Sequence, residues 1–451
     1  MGESMSPQPT DAVPRPLQNP ACVANAAWHS LLWLVLANSI GVLIAILLLF
    51  PALNRGLGEW TYGRWIITHM NLELYGWSSL PMAGFLFVVY GADRGLAARW
   101  CRPVLWVWSA ALGVGTLSWL SGNSSGKLFL DWTGYARVCF PLAMLVLWVL
   151  LTASFAKQWN DPVNNSLLVR GGKVIGLALL MFVPAAIFIA SSPNLYPPVN
   201  PDTGGPTGAS QLESTLAIVA ILLMLPFGLT TRKMGQARKV TATWVIFAAE
   251  CLLCIALGRS DVSHHRPAQY LSLASLLVWM PLTPYYYAAF QWRPDTRRWR
   301  YAFLCWWSAL LLTGWIFFLP GVLDHFKFTD GLVGHSLLAM AGFLSALLIF
   351  VMVQLLGEGS WIFNRTWSFY LWNASVVAYV MLMSFAGWRE GFDPTFSIAP
   401  GMARSVIYVL RLLVGVFMLA ASLEWFIASR ELLRESSPVP ESLPLELEKT
   451  A

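Results

Sequence analysis

The chain has 451 residues, 57% hydrophobic and only 12% charged, with 24 Trp and a formal charge of +6. A soluble chain carries about a quarter charged residues, so this composition excludes an ordinary soluble globular protein and makes the lipid bilayer the first partner. The +6 charge is better explained by asymmetry between membrane loops than by a nucleic-acid partner.

Residues 1–27 are polar and Pro-rich and read as a cytoplasmic segment with no cleavable signal peptide. Apolar runs able to cross a hydrocarbon core of about 30 Å follow. They predict twelve helical spans at 28–52, 64–91, 101–122, 134–155, 172–192, 211–230, 239–259, 268–290, 299–323, 331–356, 364–386 and 402–429. The expected fold is therefore an all-α integral membrane bundle with one transmembrane domain, 28–429. The Glu- and Pro-rich residues 430–451 read as a disordered cytoplasmic tail. The loops after the even-numbered spans hold the basic clusters Arg94/Arg99/Arg102, Lys157/Arg170/Lys173, Arg232/Lys233/Arg238/Lys239 and Arg293/Arg297/Arg298/Arg300. Positive loops stay cytoplasmic, which puts both termini inside. The loop 191–210 ("SSPNLYPPVNPDTGGPTGAS") carries no Lys or Arg and reads as a connector, or as a lid or docking surface on the other side.

Six histidines occur in the chain, and their depth is informative. His69 and His335 enter spans two and ten from the non-cytoplasmic side, roughly 6–8 Å below the span starts. His264, His265 and His325 lie at the same edge, and only His29 is cytoplasmic, where it reads as an interfacial hydrogen-bonder. Imidazoles gathered in one layer on several segments point to metal or haem ligation. Cys251 and Cys254 form a C-x-x-C inside span seven and read as small apolar packing residues. Charges at membrane depth are costly and commonly paired or functional. Glu250, in span seven, reads as a proton relay or a structural hydrogen-bonder. Glu73, one turn below His69, either orients that ring or caps a neighbour.

Five stretches resemble subunit I of the haem–copper oxidases, especially the C-type cytochrome c oxidases and the nitric oxide reductases. "WTYGRWIITHMNLELYGW" (60–77) is similar to their second helix, and "GNSSGKLFLDW" (122–132) to the loop after the third. "HHRPAQYLSLASLLVWMP" (264–281) resembles the seven–eight segment, "FTDGLVGHSLLAMAGF" (328–343) helix ten, and "VLRLLVGVFML" (409–419) helix twelve. The resemblance implies His69 as axial ligand of a low-spin haem b and His335 of a high-spin haem. It implies His264 and His265 as ligands of copper or of a non-haem iron, and Arg411 and Lys327 as partners of haem propionates. Trp388–Arg389 is similar to a pair that precedes helix twelve in the family. The implied activity is transfer of electrons from a donor subunit or cytochrome c, through haem, to dioxygen or nitric oxide. The implied location is a bacterial-type inner membrane.

The chain also departs from that pattern. The second histidine of the family's helix-ten His-x-His is Leu337 here. Span six contains no histidine, leaving Glu213 as a conceivable metal ligand or an interfacial residue at a helix start. The tyrosine expected six residues before the histidine pair is Gly258. Two readings follow. One is a divergent haem–metal oxidoreductase. The other is a non-catalytic relative that keeps the scaffold and serves in haem binding, sensing or assembly. A transporter would predict inverted repeats and broken midplane helices, and the sequence displays neither.

Overall fold

The computed structural model describes residues 19–127, 129–160, 167–195, 208–257 and 263–435. The described residues form helices and turns, and their single β-bridge joins Arg232 to Phe290. Ten helices are long and apolar enough to cross a membrane, which makes the chain a multi-pass membrane protein. They are α1 (Pro20–Leu49), α2 (Tyr62–Tyr90), α3 (Gly95–Leu120), α4 (Ala136–Lys157), α5 (Leu167–Ala190), α6 (Gly208–Leu229) and α7 (Ala237–Leu257), then α10 (Asp330–Ile362), α11 (Thr366–Phe392) and α12 (Met402–Glu435). The eighth predicted span is helical but broken, and the ninth is 21 residues long; neither meets the length and hydropathy of the other ten. α8 is the pair Pro267–Ala274 and Trp279–Tyr287 around a 3₁₀ turn, with Pro281 and Pro284 in its second half. Proline removes a backbone donor and clashes with the preceding turn, which explains the break. α9 (Arg297–Phe317) opens with Arg297, Arg298 and Arg300.

Element ends differ from the hydropathy reading at both termini. α1 starts at Pro20, eight positions before 28, because the Asn19 side chain accepts from the Ala21 N–H (3.1 Å) and Pro20 occupies the first turn. α12 continues to Glu435, and residues 1–18 and 436–451 lie outside the described residues.

α10 is the axis of the bundle: all twelve residues from Ser345 to Leu356 are buried. α1, α2, α9 and α12 pack around this axis and one another, and α3 and α4 join from the α2 side. One apolar cluster centres on α8, α9 and α10 and a second on α2, α3 and α4, where Trp132 stacks on Phe140 with ring centroids 4.1 Å apart. α5 and α7 are mostly exposed and present Ile175, Leu179, Phe182, Val245 and Leu252 outward, as helices bathed in lipid tails do.

Two stretches widen from α-helical spacing. Glu73–Ser78 in α2 and Leu338–Leu344 in α10 are π-helical. Such bulges carry one extra residue per turn and gather at functional sites. Hydroxyl groups satisfy the displaced carbonyls: Ser78 donates to Glu73, Ser79 to Leu74 and Ser345 to Met340, each five residues back. The two bulges touch, with the Trp77 indole donating to Ser345 Oγ (2.8 Å).

Candidate functional site: a histidine–carboxylate cluster beside a cavity

His264 and His265 precede α8, and between α9 and α10 a short helix (Val322–Phe326) brings Asp324 against them. Gly321 starts that helix at φ 80°, a left-handed conformation that glycine adopts without Cβ strain. Its N–H donates to Asp324 Oδ2 (3.1 Å), which fixes the carboxylate. Oδ2 then lies 3.4 Å from Nε2 of His264 and 3.4 Å from Nε2 of His265, while Oδ1 lies 3.6 Å from Lys327 Nζ. Nitrogen or oxygen atoms of all three residues fall within 4.8 Å of one another, close enough to share a metal ion. His264 is fully buried and the His265 side chain is 53% exposed, so the cluster has one dry and one open side. Burial pushes the Asp324 carboxyl up, but the Gly321 amide and the two imidazoles outweigh it and hold the group below its usual range.

His335 lies on α10, three residues before the segment that becomes π-helical. The Thr313 hydroxyl gives its proton to the Ala309 carbonyl (2.7 Å), so it accepts from His335 Nδ1–H (3.2 Å). This leaves Nε2 with its electron pair. The ring faces a cavity of about 290 Å³ whose walls include Leu276, Trp307, Gly314, Phe317, Phe318 and Leu323. Gly314 keeps that side open, since a Cβ there would stand 3.5 Å from His335 Cε1. The histidine pair packs against a wall residue of this cavity: the His264 ring is 6.2 Å from the Phe318 ring, and Asp324 follows the lining residue Leu323.

His69 is held the same way but faces something else. Its Nδ1–H donates to the Ala37 carbonyl (2.8 Å), and Gly41 of α1 leaves room for the ring. Its Nε2 lies 3.7 Å from Glu73 Oε1, beyond hydrogen-bond distance, so the carboxylate stands on the side a ligand would occupy and neither reading of Glu73 is selected by the contact. Leu337 packs among apolar side chains of the core and offers no ligand atom.

The other predicted residues are spread more widely. Glu213 lines a separate cavity of about 550 Å³ with Phe247, Cys251 and Cys254. The two cysteines are not joined in a disulfide. Glu250 is buried and accepts from the Trp279 indole. Arg411 pairs with Asp330 at the start of α10 (3.2 Å) and lies over the rings of Tyr379 and Tyr408. Lys327 belongs to the Asp324 cluster. His325 Nε2–H donates to the Trp388 carbonyl (2.9 Å), and the Arg389 guanidinium covers Phe396. His29 is a buried hydrogen-bonder to Ser109 (2.9 Å). In the 122–132 loop, the Tyr75 hydroxyl of the first π segment donates to Phe129 O (2.6 Å), which ties that loop to α2. Gly258 and most of the 191–210 loop lie outside the described residues.

The donor set fits a metal ion at the His264–His265–Asp324 cluster. At His335, an Nδ1 engaged with Thr313 and a ring that lines a cavity suit axial ligation of haem iron, because a ligating imidazole commonly donates its other N–H. At His69 the tautomer fits, but Leu337 gives no second imidazole and Glu73 stands against Nε2. No protein-family model matches the chain, and no curated protein matches it.

Proposed function

We propose that the chain is a divergent membrane redox subunit of the haem–copper oxidase subunit I type, in which His335 holds a haem and His264 and His265 hold a second metal beside it. The observation that carries this reading is the pair of adjacent imidazoles next to a cavity onto which a third, pre-oriented imidazole opens. α8 and α9 complete a twelve-span bundle in this reading. The basic loops support a cytoplasmic position for both termini; the reading adds a bacterial-type inner membrane and a donor subunit or cytochrome c that delivers electrons.

Haem iron supplies one-electron chemistry when bound, and the neighbouring copper or non-haem iron supplies a second redox site; dioxygen and nitric oxide are the candidate substrates. The chain's own residues position and insulate. Thr313 engages His335 Nδ1, which holds the ring in place and leaves Nε2 for a ligand. Trp307, Phe317, Phe318 and Leu276 line that face with apolar surface. Arg411 and Lys327 place positive charge near the start of α10 for carboxylate groups on the cofactor. Glu250 is a buried carboxyl able to exchange a proton, with its anion stabilised by the Trp279 indole.

A second reading rests on Leu337 and Glu73. With the second helix-ten imidazole replaced by leucine and the His69 nitrogen facing a carboxylate, the chain is a haem-binding relative without turnover. A dithionite-reduced spectrum of the detergent-purified chain, before and after carbon monoxide, separates the two. A haem band that shifts with carbon monoxide, together with dioxygen or nitric oxide consumption, supports the redox subunit. A haem band without consumption supports the relative, and the absence of haem contradicts both.

A further inference from the structure

The sequence pattern offers two imidazoles and no third ligand near them, yet the fold delivers a carboxylate from a different segment. We propose that Asp324 is the third ligand of the His264–His265 centre. We further propose that this set of two nitrogens and one oxygen takes a divalent cation of the ferrous-iron or zinc class in place of copper. The inference rests on the metal-centre reading above and names the metal class of that site.

Geometry supports it first. Metal–ligand bonds of about 2.1 Å put the ligand atoms of a tetrahedral centre about 3.4 Å apart. Asp324 Oδ2 stands 3.4 Å from each of the two Nε2 atoms, so two edges of such a site already have that length. The carboxylate is also held in place independently of any ion. The Gly321 N–H reaches Oδ2, and the Lys327 ammonium approaches Oδ1, leaving the second lone pair of Oδ2 for the imidazole side. Outer contacts of this kind orient a ligating carboxylate.

Chemistry then selects the ion. Copper(I) favours soft thiolate or thioether donors and imidazole, whereas carboxylate oxygen is a hard donor. Two histidines and one carboxylate with open positions are the ligand set of non-haem ferrous centres, and zinc accepts two histidines with a carboxylate as well. The open side at His265 provides an entry path and room for a further ligand, while fully buried His264 anchors the dry side. An Asp–His ion pair without any metal is the competing explanation of the same distances.

The test is metal analysis of the detergent-purified full-length chain by mass spectrometry, with haem iron measured separately and subtracted. The proposal expects about one non-haem iron or zinc per chain, falling at least ~10-fold in Asp324→Asn, a near-isosteric change that keeps an acceptor for Gly321. Asp324→His, which restores three imidazoles, is expected to admit copper. Iron preserves the redox reading, whereas zinc supports the ligand set and contradicts the redox role. Copper near one per chain in the wild type, or metal content unchanged in Asp324→Asn, overturns the inference and leaves the metal-centre reading standing. A wild-type chain without metal overturns both. The wild-type metal content decides between copper and the proposed class even where a variant fails to fold.

Discussion

His69 and His335 occupy two versions of one local arrangement. Each imidazole has its Nδ1 tied to the neighbouring helix, to the Ala37 carbonyl in one case and the Thr313 hydroxyl in the other. Each ring edge lies over a glycine of that helix, Gly41 or Gly314, and each histidine is followed within one turn by a π-helical segment. Beyond the second nitrogen the two differ. His69 Nε2 meets Glu73, whereas the His335 ring borders a cavity next to the His264–His265–Asp324 cluster. The scaffold for orienting an imidazole is thus present twice, and the His335 copy borders a cavity whereas the His69 copy meets a carboxylate. Orientation alone does not make a cofactor site; the volume and the partners beyond the free nitrogen decide.

The largest expected effect separates the two histidines directly. His335→Ala should remove the carbon-monoxide-sensitive haem absorbance by at least ~10-fold while the protein still inserts, because one axial ligand carries most of the iron affinity on this chain. His69→Ala should leave that band in place. Equal loss in both variants would mean that the two arrangements are functionally alike. The glycines give the next effect. A Cβ at Gly41 would stand 3.1 Å from His69 Cε1 and one at Gly314 would stand 3.5 Å from His335 Cε1. Gly41→Ala should therefore cost about 1–3 kcal/mol through overpacking, seen as a lower Tm in detergent. Gly314→Ala should be close to neutral in the same assay.

Ser345→Ala addresses what joins the two copies. It leaves the buried Trp77 N–H without its acceptor and should destabilise by about 1–3 kcal/mol. An unchanged Tm would show that the contact between the π segments is incidental. The smallest effect belongs to Glu73→Gln. The His69–Glu73 pair is partly exposed, and its loss should change stability by less than about 1 kcal/mol. A larger fall would place Glu73 in a tighter role than its contact with His69 gives it.

The membrane bundle was legible because hydropathy reports directly on helices long enough to cross lipid, and ten of them stand where apolar runs predict. The start of α1 was written in Asn19–Pro20, but a hydropathy window does not register a polar capped turn ahead of an apolar run. The breaks in α8 follow from Pro281 and Pro284, whereas the π segments carry no such mark. One inserted residue leaves the apolar pattern on both sides intact. The usable signal was the serines placed five residues after carbonyls that need a donor. Among the site residues, the histidines announced themselves by type and depth. Asp324 did not, because its meeting with His264 and His265 depends on how α9 and the short helix after it fold back. The glycine three residues before it, which turns the chain and donates to its carboxylate, was the local clue. Glu213 looked equivalent in sequence, yet α6 carries it to a different cavity.

The most direct test of the account is haem content per chain, measured as pyridine haemochromogen on the detergent-purified protein. The proposed haem site at His335 predicts about one haem per chain, since the His69 arrangement lacks a second imidazole and faces a carboxylate. Haem far below one per chain would contradict the cofactor-bearing reading. Two haems per chain would contradict the proposal that only the His335 arrangement holds a haem.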